Sequence, residues 1–222
     1  MRRRISAAIF LFLLAGLGLA SAEPPASRTV DAWPGSIDDA TTRAVYAPDG
    51  QPYVVYTPQD AQATWSVRLG RWSGAQWQTV LVAGGLADPP LADFAIDGHG
   101  LAHVVFVKNA NGRALQHVAF LPAGFVGNNL ILNEVVAPLP QQVATVALEL
   151  QSNGEPAVAW SDAIPKTWLA KRSSANARWN PPNQVIPCDA GLPTLTFDTA
   201  TGADVATLTC RQTAVAPGTC QR

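Results

Sequence analysis

A chain of 222 residues that is 48% hydrophobic and only 14% charged is too apolar to stay disordered and too poor in charge for a coiled coil or an acidic tail. Fifteen Lys and Arg face sixteen Asp and Glu, so there is no basic footprint for nucleic acid. With 17 Gly and 18 Pro, the composition describes a turn-rich globular protein of one large domain or two small ones.

The first element in the chain reads as an export leader. Arg2, Arg3 and Arg4 form a basic n-region, residues 5–19 are almost wholly apolar, and Ala20-Ser21-Ala22 gives a small-x-small cleavage pattern. The apolar run of about 15 residues falls short of the roughly 20 that a membrane span needs. Residues 1–22 are therefore expected to be removed as a signal peptide. No Cys follows the cleavage point to carry a lipid. The mature chain, residues 23–222, is expected to be soluble, with no membrane span, and secreted or periplasmic in a bacterium. Losing three arginines takes the net charge from −1 to −4, which argues against nucleic acid or anionic lipid as a partner held by charge.

The mature chain repeats itself. Gly50-Gln51-Pro52-Tyr53-Val54-Val55-Tyr56 is matched by Gly100-Leu101-Ala102-His103-Val104-Val105-Phe106 and by Gly154-Glu155-Pro156-Ala157-Val158-Ala159-Trp160. A weaker fourth copy begins at Gly202, and the glycine spacings are 50, 54 and 48 residues. A period near 50 with a glycine turn in each unit suits a propeller blade better than a helical repeat.

Each unit reads as strands. An apolar strand a precedes each glycine, at residues 42–47, 92–97, 146–151 and 194–198, and the Val-rich strand b follows it. Asp49-Gly50, His99-Gly100, Asn153-Gly154 and Thr201-Gly202 join the two as hairpin turns. Strands c and d follow at 64–72 and 77–82, at 114–121 and 130–136, and at 167–172 and 179–186. Proline-rich stretches, Asp88-Pro89-Pro90, Pro138-Leu139-Pro140 and residues 187–193, read as crossovers between units, because proline cannot donate to a central ladder.

The fourth unit runs out of chain before its strand d. Thr29-Val30 lies 21 residues before Gly50, as Thr79-Val80 lies 21 before Gly100. Residues 27–33 therefore align with a strand d and are expected to complete the last blade. The expected fold is all-β, a four-bladed β-propeller in a single domain over 23–222. Its units are residues 41–90, 91–142, 143–193, and 194–222 plus 27–33. Ring closure would protect sheet edges that an open stack exposes.

The motif Asp/Asn-Gly-x-Pro-x-Val-x-Tyr/Trp, carried by Asp49, Gly50, Pro52, Val54 and Tyr56 and by Asn153, Gly154, Pro156, Val158 and Trp160, resembles repeats of secreted bacterial β-propellers of loosely sialidase-like, or BNR-like, type. Gly100, Val104 and Phe106 carry it in the second unit, and Trp77 and Trp179 add a strand d signature. The resemblance implies architecture, because propellers host binding, catalysis and scaffolding alike. A sialidase Asp-box, Ser-x-Asp-x-Gly-x-Thr-Trp, is absent from every unit, and no spacing supports an arginine cluster with a Tyr nucleophile.

Residues that carry chemistry are sparse. There is no Gly-x-Ser-x-Gly elbow, Walker loop or His-Glu-x-x-His. Asp97, His99 and His103 surround one turn without a recognised metal-ligand spacing, so neither a metal nor a cofactor is expected. Trp160, Trp77 and Trp179 recur at equivalent places and read as packing. Trp65, Trp72 and Trp168 on strand c are the candidate ligand-binding residues, because indole faces stack on sugar rings. Arg43 and Asp93 occupy equivalent places one unit apart and join them as a candidate pair near the axis. Cys188, Cys210 and Cys220 all lie in the last 35 residues. In an oxidising compartment two of them are expected to pair, Cys210 with Cys220 first, Cys188 with either remaining open. The functional expectation is an exported, non-enzymatic module that binds a glycan or an envelope protein and is monomeric. The alternatives are a sialidase-like glycoside hydrolase and an incomplete propeller that assembles as a homodimer.

Overall fold

The computed structural model describes residues 41–109, 113–121, 130–162, 166–185, 191–198 and 205–212, the last two segments by their backbone. The leader and the expected closing strand at 27–33 lie outside these residues, as do Cys188 and Cys220. Among the described residues the protein is all-β, without an α-helix, and no helix is long and apolar enough to cross a membrane.

The first unit is a four-stranded antiparallel meander of β1 (Arg43–Tyr46), β2 (Pro52–Tyr56), β3 (Trp65–Trp72) and β4 (Trp77–Leu86), paired in chain order. The second unit repeats it with β5 (Ala92–Ile96), β6 (Ala102–Lys108), β7 (Ala114–Phe120) and β8 (Leu130–Pro138). The third has β9 (Val143–Leu150), β10 (Pro156–Asp162) and β11 (Thr167–Ser173), with two short outer pieces, β12 (Arg178–Trp179) and β13 (Asn183–Val185). The fourth sheet is the hairpin of β14 (Gly191–Asp198) and β15 (Val205–Gln212).

Three expectations need correction. Pro138 is not in a crossover but ends β8 opposite Ala114. Strand d of the third unit is not one strand over 179–186 but two pieces, and Pro181-Pro182 lies between them, where the missing N–H groups interrupt the ladder. Pro193 is not in the crossover but inside β14, opposite Cys210. Among the described residues β14 pairs only with β15, so its other edge asks nothing of a proline nitrogen.

The three described a–b turns share one construction. In each, the N–H of the glycine donates to the carbonyl three residues back: Gly50 to Ala47, Gly100 to Asp97 and Gly154 to Gln151. Gly100 and Gly154 hold φ of 81° and 80°, the left-handed region where a Cβ strains the backbone. In the first and third units the residue before the glycine caps the turn, with Asp49 Oδ1 accepting from Gln51 N and Asn153 Oδ1 from Glu155 N, both at 2.9 Å. The second unit has His99 at that place. There the cap comes from Asp97, whose Oδ1 accepts from His99 N and Leu101 N at 2.8 Å each.

The sheets stack face to face through two described apolar seams. Alternation along each strand decides which side chain enters which seam. From the first sheet Tyr53, Val55, Leu69 and Val80 meet Val104, Phe106, Val118 and Phe120 of the second. From the other face of the second sheet, Val105, Val107 and Leu115 meet Val158, Trp160 and Ala170 of the third. Ala157 and Ala159 point from the third sheet to its far side and are fully buried, and β14 packs on β9 and β10. The first strands of the four sheets, β1, β5, β9 and β14, are in contact in that order, and Asp93 on β5 ties two of them by accepting from Leu148 N at 2.9 Å.

Candidate functional site

The second seam differs from the first in a way that strand register makes plain. Val55 pairs with Leu69 and Leu69 with Val80 in the first unit; Val105 pairs with His117 and His117 with Glu134 in the second. His117 thus stands where Leu69 does, Glu134 where Val80 does, and His103 where Tyr53 does. On the opposing sheet Arg172 takes the place of Phe120. An apolar quartet has become two histidines, a glutamate and an arginine, in a seam of otherwise similar packing.

The four are tied together. Arg172 donates through Nε to Glu134 Oε2 at 3.0 Å, through Nη2 to Glu134 Oε1 at 3.2 Å, and through Nη1 to Glu155 Oε2 at 2.7 Å. Its Nη2 also donates to the Ala177 carbonyl at 3.1 Å. This two-pronged grip on Glu134 is the geometry in which guanidinium–carboxylate pairs are strongest. Burial pushes the Glu134 carboxyl up, but the hydrogen bonds and charge of Arg172, with those of His117, together outweigh it and hold the carboxyl below its ordinary range, while Glu134 and Glu155 hold the guanidinium charged. Trp179 donates its indole N–H to Glu134 Oε2 at 3.2 Å and sets its ring edge-on to His117 at 5.3 Å. Trp179 therefore does more than pack.

The histidine rings lie nearly parallel, planes within 7° and centroids 5.3 Å apart, and meet edge to edge through their nitrogens. Burial pushes both imidazoles toward the neutral form, with His117 down to about 3 by burial and then by the neighbouring His103. An ionised Glu134 only accepts, so His117 Nδ1 donates to it at 3.5 Å. Neutral His117 is then an acceptor at Nε2, and His103 Nδ1 donates to it at 3.1 Å. The chain of donors ends at His103 Nε2, which is left with a bare lone pair. That atom is buried and has no hydrogen-bond partner. Asp97 Oδ2 lies 3.9 Å from it, beyond ordinary hydrogen-bond length, and favours the imidazolium, partly offsetting the effect of burial.

His103 opens into a cleft of about 360 Å³ at the end of the seam where the a–b turns lie. Asp97 and His99 line it from the second unit, and Asn153, Glu155 and Arg172 from the third. The shifted cap explains the arrangement. With His99 in the usual capping place, Asp97 supplies Oδ1 to the turn and keeps Oδ2 for the cleft. No three His, Cys, Asp or Glu side chains among the described residues converge as a metal site would require.

The residues expected to bind ligand do not meet. Trp65 and Trp72 begin and end β3, an eight-residue strand, so they lie roughly 20 Å apart. Trp65 packs on the first core and Trp72 meets Trp77 edge-on at 5.8 Å. Trp168 donates to Asp162 Oδ2 at 3.3 Å and, with Trp160, lines a groove beside Pro138 and Pro140. Burial raises the Asp93 carboxyl above its ordinary range, hydrogen bonds from Leu148 and Phe94 oppose this, and Arg43 acts only from a distance. Cys210 lies on β15. The seam residues His117, Glu134, Glu155 and Arg172 escaped the sequence reading, although aligning strands c and d of the units sets His117 against Leu69 and Arg172 against Phe120. No protein-family model matches the chain, and no curated protein matches it.

Proposed function

We propose that this chain is an exported, non-enzymatic binding module, a four-bladed β-propeller whose ligand, a glycan, sits in the cleft of the second seam. The observation that carries the binding reading is the buried His103 in the lining of an open polar cleft, its Nε2 without a hydrogen-bond partner, in a seam whose neighbour has Tyr53, Leu69, Val80 and Phe120 at the equivalent places. An unsatisfied buried acceptor is destabilising by about 1–3 kcal/mol, and a fold that keeps one at the mouth of a cleft offers it to a ligand. The same cleft argues against sialidase chemistry. Its arginine is already held by Glu134 and Glu155, and no free guanidinium awaits an anionic sugar.

The propeller reading rests on facing. Val104 and Phe106, and then Val158 and Trp160, press on the preceding sheet. Val54 and Tyr56 hold the same places in the first unit, where an open stack has no preceding sheet. Yet they are only 9% and 4% exposed. A ring supplies the missing neighbour. Deletion of residues 23–33 is expected to abolish cooperative urea unfolding while the parent unfolds in one transition. A monomeric deletion variant that unfolds like the parent would refute closure by the N-terminal strand.

A glycan array probed with the mature protein and with His103→Tyr tests the function. Tyrosine is the residue of the first seam at this place, so the variant keeps an aromatic plate and fills the cleft. Binding to a defined glycan set that His103→Tyr loses by tenfold or more is expected. A blank array, equal binding by both proteins, or turnover of a fluorogenic sialoside would each remove the proposal.

A further inference from the structure

Resting on the reading of the second-seam cleft as a ligand site, we infer that the group it takes is a protonated primary amine, bridged between His103 Nε2 and Asp97 Oδ2. Asp97 and His103 both line the cleft, and their acceptors Oδ2 and Nε2 lie 3.9 Å apart, Nε2 without a hydrogen-bond partner. An atom placed about 2.8 Å from each subtends an angle near 90° and must carry two hydrogens, one for each acceptor. A single hydroxyl has one hydrogen and satisfies one side only, whereas –NH3+ supplies both bonds and a third for the cleft wall.

Charge makes the same selection. The cleft and its immediate support hold the carboxylates of Asp97, Glu134 and Glu155 against the single guanidinium of Arg172. All three nitrogens of that guanidinium are engaged, Nε and Nη2 with Glu134 and Nη1 with Glu155. The surplus is negative, and it lies on Asp97 at the open end. A cation is therefore drawn in and a carboxylate or sulfate is repelled. His103 suits the role because its side chain is 5% exposed and its other nitrogen is fixed by His117, so the lone pair is held in place. A water molecule also carries two hydrogens but leaves the Asp97 charge uncompensated.

The test uses the mature protein with 15N-labelled histidine, whose ring signals come from only three residues, His99, His103 and His117. It is titrated in parallel with glucosamine, glucose, N-acetylglucosamine and Nα-acetyl-lysine amide. The expected result is a His103 Nε2 shift saturating with glucosamine at least tenfold more tightly than with glucose or N-acetylglucosamine. Asp97→Asn keeps the turn cap through its amide oxygen and points its own N–H2 at His103, so it is expected to lose this binding tenfold or more while remaining folded. A response to the lysine amide in place of glucosamine keeps the ammonium assignment and moves its source to a peptide. Equal response to glucose and glucosamine, or an unaffected Asp97→Asn, overturns the ammonium while leaving the cleft a binding site. Silence of the His103 signal toward every probe, as a bridging water alone would give, overturns both.

Discussion

Arg172→Leu is expected to lower the unfolding free energy by about 3 kcal/mol, the scale found when one partner of a buried ion pair is removed. In a chain of this size that is a fall in Tm of roughly 6–12 °C. The reason is what stays behind. Glu134 loses both guanidinium bonds and Glu155 loses its own, and Glu134 then faces the two histidines with Trp179 as its remaining strong donor. Arg172→Lys restores the charge but not the fork that spans two carboxylates, so it is expected to recover only part of the loss. The informative comparison is a fourfold exchange that copies the first seam: His103→Tyr, His117→Leu, Glu134→Val and Arg172→Phe. Its side chains are those of Tyr53, Leu69, Val80 and Phe120, which pack together in the first core. Replacing a buried polar set by a well-packed apolar one is commonly neutral or stabilising. The fourfold variant is therefore expected to unfold at or above the urea midpoint of the parent and to lose the proposed glycan binding. If Arg172→Leu alone leaves the midpoint unchanged, the network carries no structural weight and the seam argument fails.

That contrast bears on how much the sequence discloses. The a–b hairpins are legible because a left-handed turn leaves a local mark, a glycine after Asp49 or Asn153 with a Val-rich strand behind it. β2, β6 and β10 follow each of these glycines, and the stacking of sheets follows from their alternation. Prolines mislead in both directions. Pro193 sits within a strand because that strand has a free edge among the described residues, whereas Pro181-Pro182 splits a strand that reads as continuous. The polar seam is illegible for a different reason. Arg172 reaches Glu134 across 38 residues and Leu148 reaches Asp93 across 55, so no local period records either contact. Glu134 follows Leu130, Ile131, Leu132 and Asn133, and alternation alone leaves open whether it faces solvent or a neighbouring sheet. Once three units are aligned, however, a histidine against two leucines is visible at residue 117 before any coordinates. The repeat itself carries that signal.

The second large effect is acid lability. His117 is wholly buried, and its imidazole titrates near 3 in the folded chain against an ordinary value of 6.5. A folded-state value below the unfolded one means that the unfolded chain binds the proton first. The stabilisation is complete above pH 6.5 and is lost as the pH falls toward 3. Each unit below 6.5 removes about 1.4 kcal/mol, so His117 alone accounts for about 2 kcal/mol by pH 5. His103, also shifted downward, adds in the same direction. The groups facing His117 are His103, Glu134, Arg172 and Trp179. Glu134 favours the imidazolium, His103 and Arg172 oppose it, and burial dominates. Glu134, held low by Arg172, contributes further loss only at more acidic pH, once the carboxylate range is reached. Asp93 and Glu149 are raised by burial, so they take protons first in the folded state and act with the opposite sign. Because burial raises them, they oppose the histidines as the pH falls, and the comparison of the parent with His117→Leu separates the imidazole from them. Urea midpoints of the parent are expected to fall steadily across that window. His117→Leu, which installs the residue of the equivalent places Leu69 and Leu169, is expected to flatten the profile there by more than half. A parent profile that is flat from pH 7 to 5 would mean that the seam admits a proton without unfolding. The histidine pair would then be a hydrated feature of the cleft and not a buried one.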